Sequence, residues 1–478
     1  MNPAQPVAAL DAFRRLLPLP DSEPAYLALA RSIRHLVMDG KVGLGARLPS
    51  ERTLAVTLGL SRTTITGAYR HLVDSGWASA RQGSGTVVRI PARDRAPSLP
   101  LVPGLQTDAI DLSAAAGLAP AGAAALVSRA LEWLPRSLAG AGYEPFGAAH
   151  LRERIAAWFV TRGVPTEPDQ VLVTPGALAG LSVVLHTLAS PGSRVLIDSP
   201  TYPGALSVAE SVRARPASVP IQEAGWDLDA WATALKRGPV VAAYLIPDFH
   251  NPTGHLMADG QRAALAALLA RSGTTPIVDE TLVGLNLDGG PLPTPWAAID
   301  DRAITLGSLS KVLWGGIRIG WVRYPAELME AIQTRQLQLS LGASALDQLV
   351  ATTYLENPEP ILGEVLGRMR AARDAWLDQL NRNLPDWRAD RPRGGLSLWV
   401  ELPEPASTEL ALSATGHGLI VAPGARFSAD RTQASRIRLP LTLPPNAIVD
   451  AVRRLAASWQ DVRDGVPSAT DDVPALAL

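Results

Sequence analysis

Five short apolar runs, at 171–173, 194–197, 240–246, 276–279 and 303–306, punctuate the middle of this chain, and helical patterns separate them. Strands buried on both faces read as near-continuous apolar runs, and joining two of them in parallel needs a crossover, usually a helix. The rhythm therefore predicts an α/β fold: a mixed, mostly parallel sheet of a seven-stranded type with helices on both faces. After Pro360 the pattern changes to a long helix and then to 394–400 and 435–441, which read as strands of a small α+β C-terminal subdomain covering about 360–464.

Ahead of this body, assigned to 110–464, residues 24–90 form a compact stretch of their own, and the proline-rich segment 91–109 reads as an interdomain linker. Residues 1–23 are expected to be an N-terminal extension and 465–478, polar and proline-bearing, a disordered tail. At 478 residues and 47% hydrophobic, the chain can bury a core in each unit. A net charge of -1 requires any nucleic-acid surface to be a local basic patch. The absence of cysteine excludes disulfides, thiolate metal sites and a cysteine nucleophile. The seven histidines have no metal-binding spacing, so no metal site is expected. The N-terminus lacks the basic and apolar regions of a signal peptide, which predicts a cytoplasmic location. The uncharged stretch 170–193 is interrupted by Pro175, Gly176 and Pro191 and reads as strand, turn and helix rather than a membrane span.

Within 24–90, Ser50 and Ser61 read as helix N-caps on either side of Gly59, which places two helices around a very short turn. On the second, predicted from Ser61 to Gly76, Ile65, Ala68, Tyr69, Leu72 and Val73 share one apolar face. Thr63, Thr66, Gly67 and Arg70 fall on the other, with Arg62 beside them, and such hydroxyl and guanidinium groups suit phosphate and base-edge contacts in a major groove. Two short strands around Gln82-Gly83-Ser84-Gly85 then read as a wing. The stretch carries nine cations against three acids in a molecule that is -1 overall, which favours DNA binding by phosphate neutralisation over a merely solvated basic face.

Leu-Pro-Ser-Glu-Arg ending at Arg52, Leu-Ser-Arg-Thr-Thr ending at Thr64, Ala-Tyr-Arg ending at Arg70, Ser-Gly-Trp ending at Trp77 and the Gly-Ser-Gly-Thr wing together resemble the winged helix-turn-helix of the GntR family of bacterial transcription regulators. The resemblance implies DNA contacts from Arg52, Arg62, Thr63 and Thr64, with Gly83 at the wing. Where some members carry another basic residue this chain has Thr66, so the operator does not carry over.

Lys311 is one of three lysines, with Lys41 and Lys236, among 44 lysines and arginines. A position that keeps lysine against that bias suits chemistry arginine cannot do, such as losing a proton and attacking a carbonyl. Ser308, Ser310 and Arg318 around it can hold a phosphate, as can the backbone N–H groups of Gly176, Ala177 and Leu178 at a strand-to-helix turn. Asp279 falls at the carboxyl end of a strand, where ligands gather in open α/β sheets. Asn251-Pro-Thr-Gly254 follows another strand, and Tyr202 offers a ring for stacking. Together these supply the amine, carboxylate, hydrogen-bond donors and anion cradle that pyridoxal 5'-phosphate needs. Taken singly, Asp279 reads as well as a helix cap, Tyr202 as a core aromatic and 251–254 as a plain turn.

Their order, with Tyr-Glu-Pro-Phe-Gly before Arg152, Val-Asp-Glu ending at Glu280, Ser-Leu-Ser-Lys ending at Lys311 and Gly-Ile-Arg-Ile-Gly-Trp ending at Trp321, resembles the fold type I aminotransferases over roughly 110–460. The resemblance implies Lys311 as the Schiff-base lysine, Asp279 as partner of the pyridinium, Asn251 of the phenolic oxygen, Ser308 and Arg318 as phosphate ligands, and Arg438 as the clamp for a substrate carboxylate, with Arg436 the alternative. Thr281 stands where relatives usually carry a tyrosine, which puts efficient catalysis in doubt more than cofactor binding.

A GntR-like head, a proline-rich linker and an aminotransferase-like body together resemble the MocR subfamily of bacterial regulators. That resemblance implies a DNA-binding regulator that holds pyridoxal phosphate as a Lys311 aldimine and senses it, or an amino compound reacting with it. It also implies a homodimer, with heads sometimes exchanged between partners. The competing reading is a working pyridoxal-phosphate-dependent aminotransferase with a residual DNA-binding head.

Overall fold

The computed structural model describes residues 10, 13, 24–38, 42, 46–81, 85–88, 109–430 and 432–466. Most of the expected extension at 1–23, the wing tip with Gly83, nearly all of the linker at 91–109 and most of the tail at 465–478 lie outside the described residues.

The head consists of α1 (Ala25–Met38), α2 (Glu51–Leu58), α3 (Arg62–Asp74) and an antiparallel hairpin of β1 (Ala78–Arg81) and β2 (Gly85–Val88). Ser50 caps α2 by accepting from Thr53 N at 3.1 Å, Gly59 ends it at φ 63°, and Ser61 caps α3 by accepting from Thr64 N at 3.1 Å. A left-handed glycine and the next helix's cap within three residues, Gly59 to Ser61, leave no room for anything but a tight turn. Ile65, Ala68, Tyr69 and Leu72 are buried, and the Tyr69 hydroxyl donates to Pro49 O at 2.7 Å. Val73, expected with them, is only partly buried, and Ser75 and Gly76 lie beyond the end of α3. Arg62, Thr63, Thr66 and Arg70 are exposed. Gly67, expected on that open face, lies instead against α1: a Cβ there would sit 3.2 Å from Tyr26 Cβ.

Removing the cap by Ser61→Ala is expected to cost the head about 1 kcal/mol. Native-state hydrogen exchange of the α3 amides should then speed up by roughly fivefold.

The body is built on an eight-stranded sheet. Its strands are β3 (Val171–Thr174), β4 (Arg194–Ser199), β5 (Arg215–Gln222), β6 (Gly225–Trp226), β7 (Ala242–Leu245), β8 (Thr275–Asp279), β9 (Ile304–Ser308) and β10 (Gly320–Arg323). They lie in the order β3-β10-β9-β8-β7-β4-β5-β6. The central pairs β9/β8, β8/β7, β7/β4 and β4/β5 are parallel, β10 is antiparallel to both neighbours, and β6 is a two-residue hairpin return at the edge. Successive side chains alternate between faces, so Leu196 joins the core on one side of the sheet while Val195 and Ile197 join the core on the other. Helices α4 (Ala177–Leu188) and α5 (Asp259–Ser272) follow β3 and precede β8 respectively.

The C-terminal subdomain opens on the long helix α6 (Glu359–Asn383) and contains an antiparallel sheet in the order β11 (Arg388–Ala389), β12 (Ser397–Glu401), β14 (Arg436–Pro440), β13 (Ala422–Pro423). It also holds α7 (Ser407–Gly416) and α8 (Pro445–Arg463). Ile110–Asp111 pairs in parallel with Leu419–Ile420, so the body's first described residues start from the subdomain before crossing to the main sheet. Leu412 of α7 is buried within the head's own apolar cluster, alongside Leu29, Ile33 and Leu54. Among the described residues no helix is long and apolar enough to cross a membrane, and no group of three or more metal-ligating side chains occurs.

Candidate functional site

The carboxyl ends of β4, β7, β8 and β9 meet along one edge of the sheet, and each delivers a side chain singled out above: Tyr202 just beyond β4, Asn251 after β7, Asp279 at the end of β8, and Ser308 at the end of β9 with Lys311 three residues on. Parallel pairing puts these ends together, because all four strands run the same way.

Lys311 Nζ donates to Ala115 O at 2.9 Å. Burial, with Arg438 and Arg318 nearby and only Asp279 opposing, pushes its amine down to about 8. Ser308 does not face the site with its hydroxyl: its Oγ donates to Ile319 O at 3.2 Å and accepts from Ser310 N at 3.1 Å, which closes the turn carrying Lys311. The Ser310 hydroxyl is the one that touches Arg318: its Oγ accepts from Arg318 Nη1 at 3.0 Å while donating to Ile317 O at 3.2 Å.

Arg318 lies over the start of α4. Gly176 has φ 89°, and a Cβ on it would stand 2.3 Å from Arg318 Nη2, so glycine is needed both for the backbone and for the arginine. No side chain caps α4, so its first N–H groups have no side-chain acceptor, and Arg318 Nη2 donates to Pro175 O at 3.3 Å just ahead of them; the Leu178 side chain itself packs on the apolar core. Arg318, Ser310 and an uncapped helix N-terminus make a cradle for a doubly charged anion.

Asp279 is buried and held twice: Oδ2 accepts from Tyr244 Oη at 2.6 Å and Oδ1 from Thr281 N at 2.9 Å. Burial raises its carboxyl above the ordinary range, and bonds from Thr281 and Tyr244 pull the other way. A cation beside it, such as a protonated pyridine nitrogen, would settle the balance toward carboxylate. Asn251 is 8% exposed and its Oδ1 has no hydrogen-bond partner, so the amide is not held by that oxygen, and its Nδ2 is the end able to donate to a phenolic oxygen. Tyr202 is half-buried, and burial and Asp279 raise its phenol while Arg438, Arg318 and Arg426 lower it, so the ring sits among the same charges as Lys311. Gly204 leaves the space that ring fills, since a Cβ there would be 2.5 Å from Tyr202 Cε1.

Of the two candidate clamps, the geometry brings only Arg438 to the cluster. It is 6% exposed, its Nη2 donates to Ser113 O, it lies 5.0 Å over the Phe427 ring, and its Nε has no partner. Burial and Arg426 push it down to about 10. Arg436 turns to Glu401 at 3.4 Å, its cross-strand neighbour.

Sequence reasoning missed several members. Tyr244 sits inside the apolar run of β7, where a tyrosine facing an aspartate on the adjacent strand was a signal that could have been used. The backbone carbonyls of Ser113 and Ala115 have no side-chain signature. Asp198 and His250 also went unremarked: Asp198 accepts from Trp226 Nε1 at 3.1 Å, and its other oxygen faces His250 Nε2 at 3.8 Å. Burial lifts Asp198 to about 7 and drives His250 well below its usual range, so at neutral pH the histidine is neutral and the carboxyl is partly protonated.

Residues 115–455 match the aminotransferase class I and II family, and residues 25–88 match the bacterial regulatory proteins of the gntR family. The uncharacterized HTH-type transcriptional regulator YdcR of Escherichia coli is 32% identical over 84% of this chain and 92% of its own length. A 2-aminoadipate transaminase of Thermus thermophilus is 33% identical over 65% of this chain and 79% of its own. Among solved structures, LysN, the α-aminoadipate aminotransferase of Thermus thermophilus complexed with N-(5'-phosphopyridoxyl)-L-leucine, superimposes with a TM-score of 0.69 at 28% identity, covering 75% of this chain and 94% of that one.

Proposed function

The chain belongs to the aminotransferase class I and II family and carries a gntR-family head, so it is a transcription regulator of the fused MocR type with a pyridoxal phosphate body, and we propose that Lys311 tethers that cofactor and that an amino compound competing for it is the signal. The observation that carries the proposal is the convergence, on one sheet edge, of a lysine with a lowered pKa, a buried carboxylate, an unpartnered Asn251 Oδ1 and the Arg318 cradle. When bound, the cofactor supplies an electrophilic carbon that a primary amine can attack. The chain's part is to present Lys311 largely stripped of water, hold the ring nitrogen's proton at Asp279, offer Asn251 to the phenolic oxygen, grip the phosphate with Ser310, Arg318 and the α4 N-terminus, and take a carboxylate at Arg438. Thr281, in place of the usual tyrosine, gives Asp279 a backbone donor and leaves no phenol at that position. That is consistent with holding a ligand more than with turning it over.

In the head, Arg52, Arg62, Thr63 and Thr64 are proposed to meet operator DNA in the major groove, from the open face of α3 and the start of α2. A homodimer in the cytoplasm is proposed as the working form. Its support is the large apolar side chains left exposed in two stretches of the body, Leu131, Trp133, Leu138 and Tyr143 in one, Leu337, Leu339, Leu341 and Leu346 in the other, more than single scattered residues would explain.

The test is a binding titration with the DNA upstream of the protein's own gene, run with and without cofactor and amino compounds. Arg62→Ala is expected to weaken binding by about tenfold or more while the visible spectrum stays as it was. Unchanged DNA affinity in that variant would remove α3 as the recognition helix. Steady transamination by a protein whose DNA affinity answers to no amino compound would remove the sensing role.

A further inference from the structure

A cavity of about 190 Å³ opens at the seam between the main sheet's body and the C-terminal subdomain. Its walls are apolar, with Leu285, Val365, Met369 and Leu396 inside and Leu118 and Trp314 toward the mouth, and Lys311 closes part of it. Leu118 is 75% exposed and Trp314 44%, so the entrance is itself an uncovered apolar surface. Among the described residues no acidic side chain lines it. It is large enough for a branched or aromatic side chain and small for a whole drug-sized ligand, which needs roughly 300 Å³ or more.

The segment 113–118 says how this cavity is addressed. Three bases donate to its carbonyls in order: Arg438 to Ser113 O, Lys311 to Ala115 O at 2.9 Å, and Arg368 to Leu118 O at 3.2 Å, at the cavity's rim. Two residues of chain span at most about 7 Å. A carboxylate anchor and an amine position therefore lie within about 7 Å of each other along this strip of backbone, and the apolar cavity follows at 115–118.

We propose that this cavity is the specificity pocket of the effector, and that the effector is an α-amino acid with an apolar side chain of about leucine size. Its carboxylate meets Arg438, whose buried Nε lacks a partner, its amino group lies toward Lys311, and its side chain follows 115–118 into the cavity. The inference rests on the reading of Lys311 and Arg438 given above and adds what neither residue can determine, the chemistry of the side chain.

The test is a titration of the full-length, cofactor-loaded protein with glycine, alanine, leucine and phenylalanine, read from the visible absorbance. Burying a methylene is worth roughly fourfold in affinity, so leucine is expected to reach its midpoint at a concentration at least about tenfold below glycine. Val365→Phe fills the pocket and should erase most of that preference without moving the glycine midpoint. Met369→Ala enlarges it and should shift the preference toward phenylalanine, which keeps the inference open to failure should the larger residue at 365 not be tolerated. Equal midpoints for glycine and leucine, or a leucine preference that neither variant alters, would overturn the pocket and leave amine sensing intact. A spectrum that no α-amino acid changes overturns both.

Discussion

Lys311→Ala is expected to abolish the visible absorbance of the cofactor-loaded protein, near about 420 nm for a lysine-bound pyridoxal, and to leave cofactor that dialyses away. The other contacts, Asp279, Asn251 and the Arg318 cradle, are noncovalent and cannot replace the tether. The pH dependence follows from the amine's surroundings. With its pKa lowered from 10.5 to about 8, the neutral and nucleophilic fraction near pH 7 is roughly 300-fold that of an ordinary lysine. Uptake of pyridoxal phosphate by the apoprotein, followed by stopped flow, should therefore rise with pH, by about tenfold per unit in its steep range, and level off above about 8. A rate still climbing at pH 10 would show that burial and the two arginines do not set this amine's chemistry. Retention of the visible band in Lys311→Ala would move the tether elsewhere, and Lys41 and Lys236 are the only other lysines.

Arg262→Ala is expected to cost about 3–5 kcal/mol, the scale for breaking a buried ion pair from one side. Arg262 is fully buried and 2.7 Å from Asp248 Oδ1, and the same guanidinium donates to Met257 O at 2.9 Å and Thr294 O at 3.1 Å. Its removal strands a buried carboxylate and frees three carbonyls at once, the third being Pro247 O at 3.4 Å. A fall in melting temperature of about 3–5 °C should be seen by scanning calorimetry. Arg262→Lys should recover little of it, because an ammonium cannot reproduce the planar fork that reaches three directions. Asp248 lies in the loop from β7 to Asn251, so the variant should also bind cofactor less tightly at temperatures where it is still folded. A melting temperature within a degree or two of the native value would show that the pair is dispensable.

The central strands were legible because each is buried on both faces, and such strands appear as apolar runs. β5 was not: its sequence, from Arg215 to Gln222, holds two prolines and buries only Val219 fully, near the sheet's edge. β10 was hidden inside the motif that carries Arg318, where a resemblance drew the eye to the arginine rather than to the backbone. In the site, side chains with unusual chemistry were readable, Lys311 above all. Contacts whose partner is a backbone carbonyl far away in sequence, as Ala115 is to Lys311, leave no trace in residue types. Ser308 shows a third limit: the residue type was suited to phosphate, but its hydroxyl is committed to the turn that aims its neighbours. In the head, the spacing of serines and glycine around Gly59 fixed both helices, while Gly67 was placed on the wrong face because a helix's open side cannot be told from its second packing side when the neighbour, Tyr26, comes from another helix.

Leu412 carries a consequence for the whole chain. The leucine that completes the head's apolar core comes from α7, near the other end of the sequence, so the head is not a cartridge that can be unplugged at the linker. Pulling α7 away from α1 opens a hole in the head before any operator contact has moved. The head's apolar core is thus completed in part by the C-terminal subdomain, and Leu412→Ala is expected to lower the stability of the head although it lies about 320 residues away in sequence.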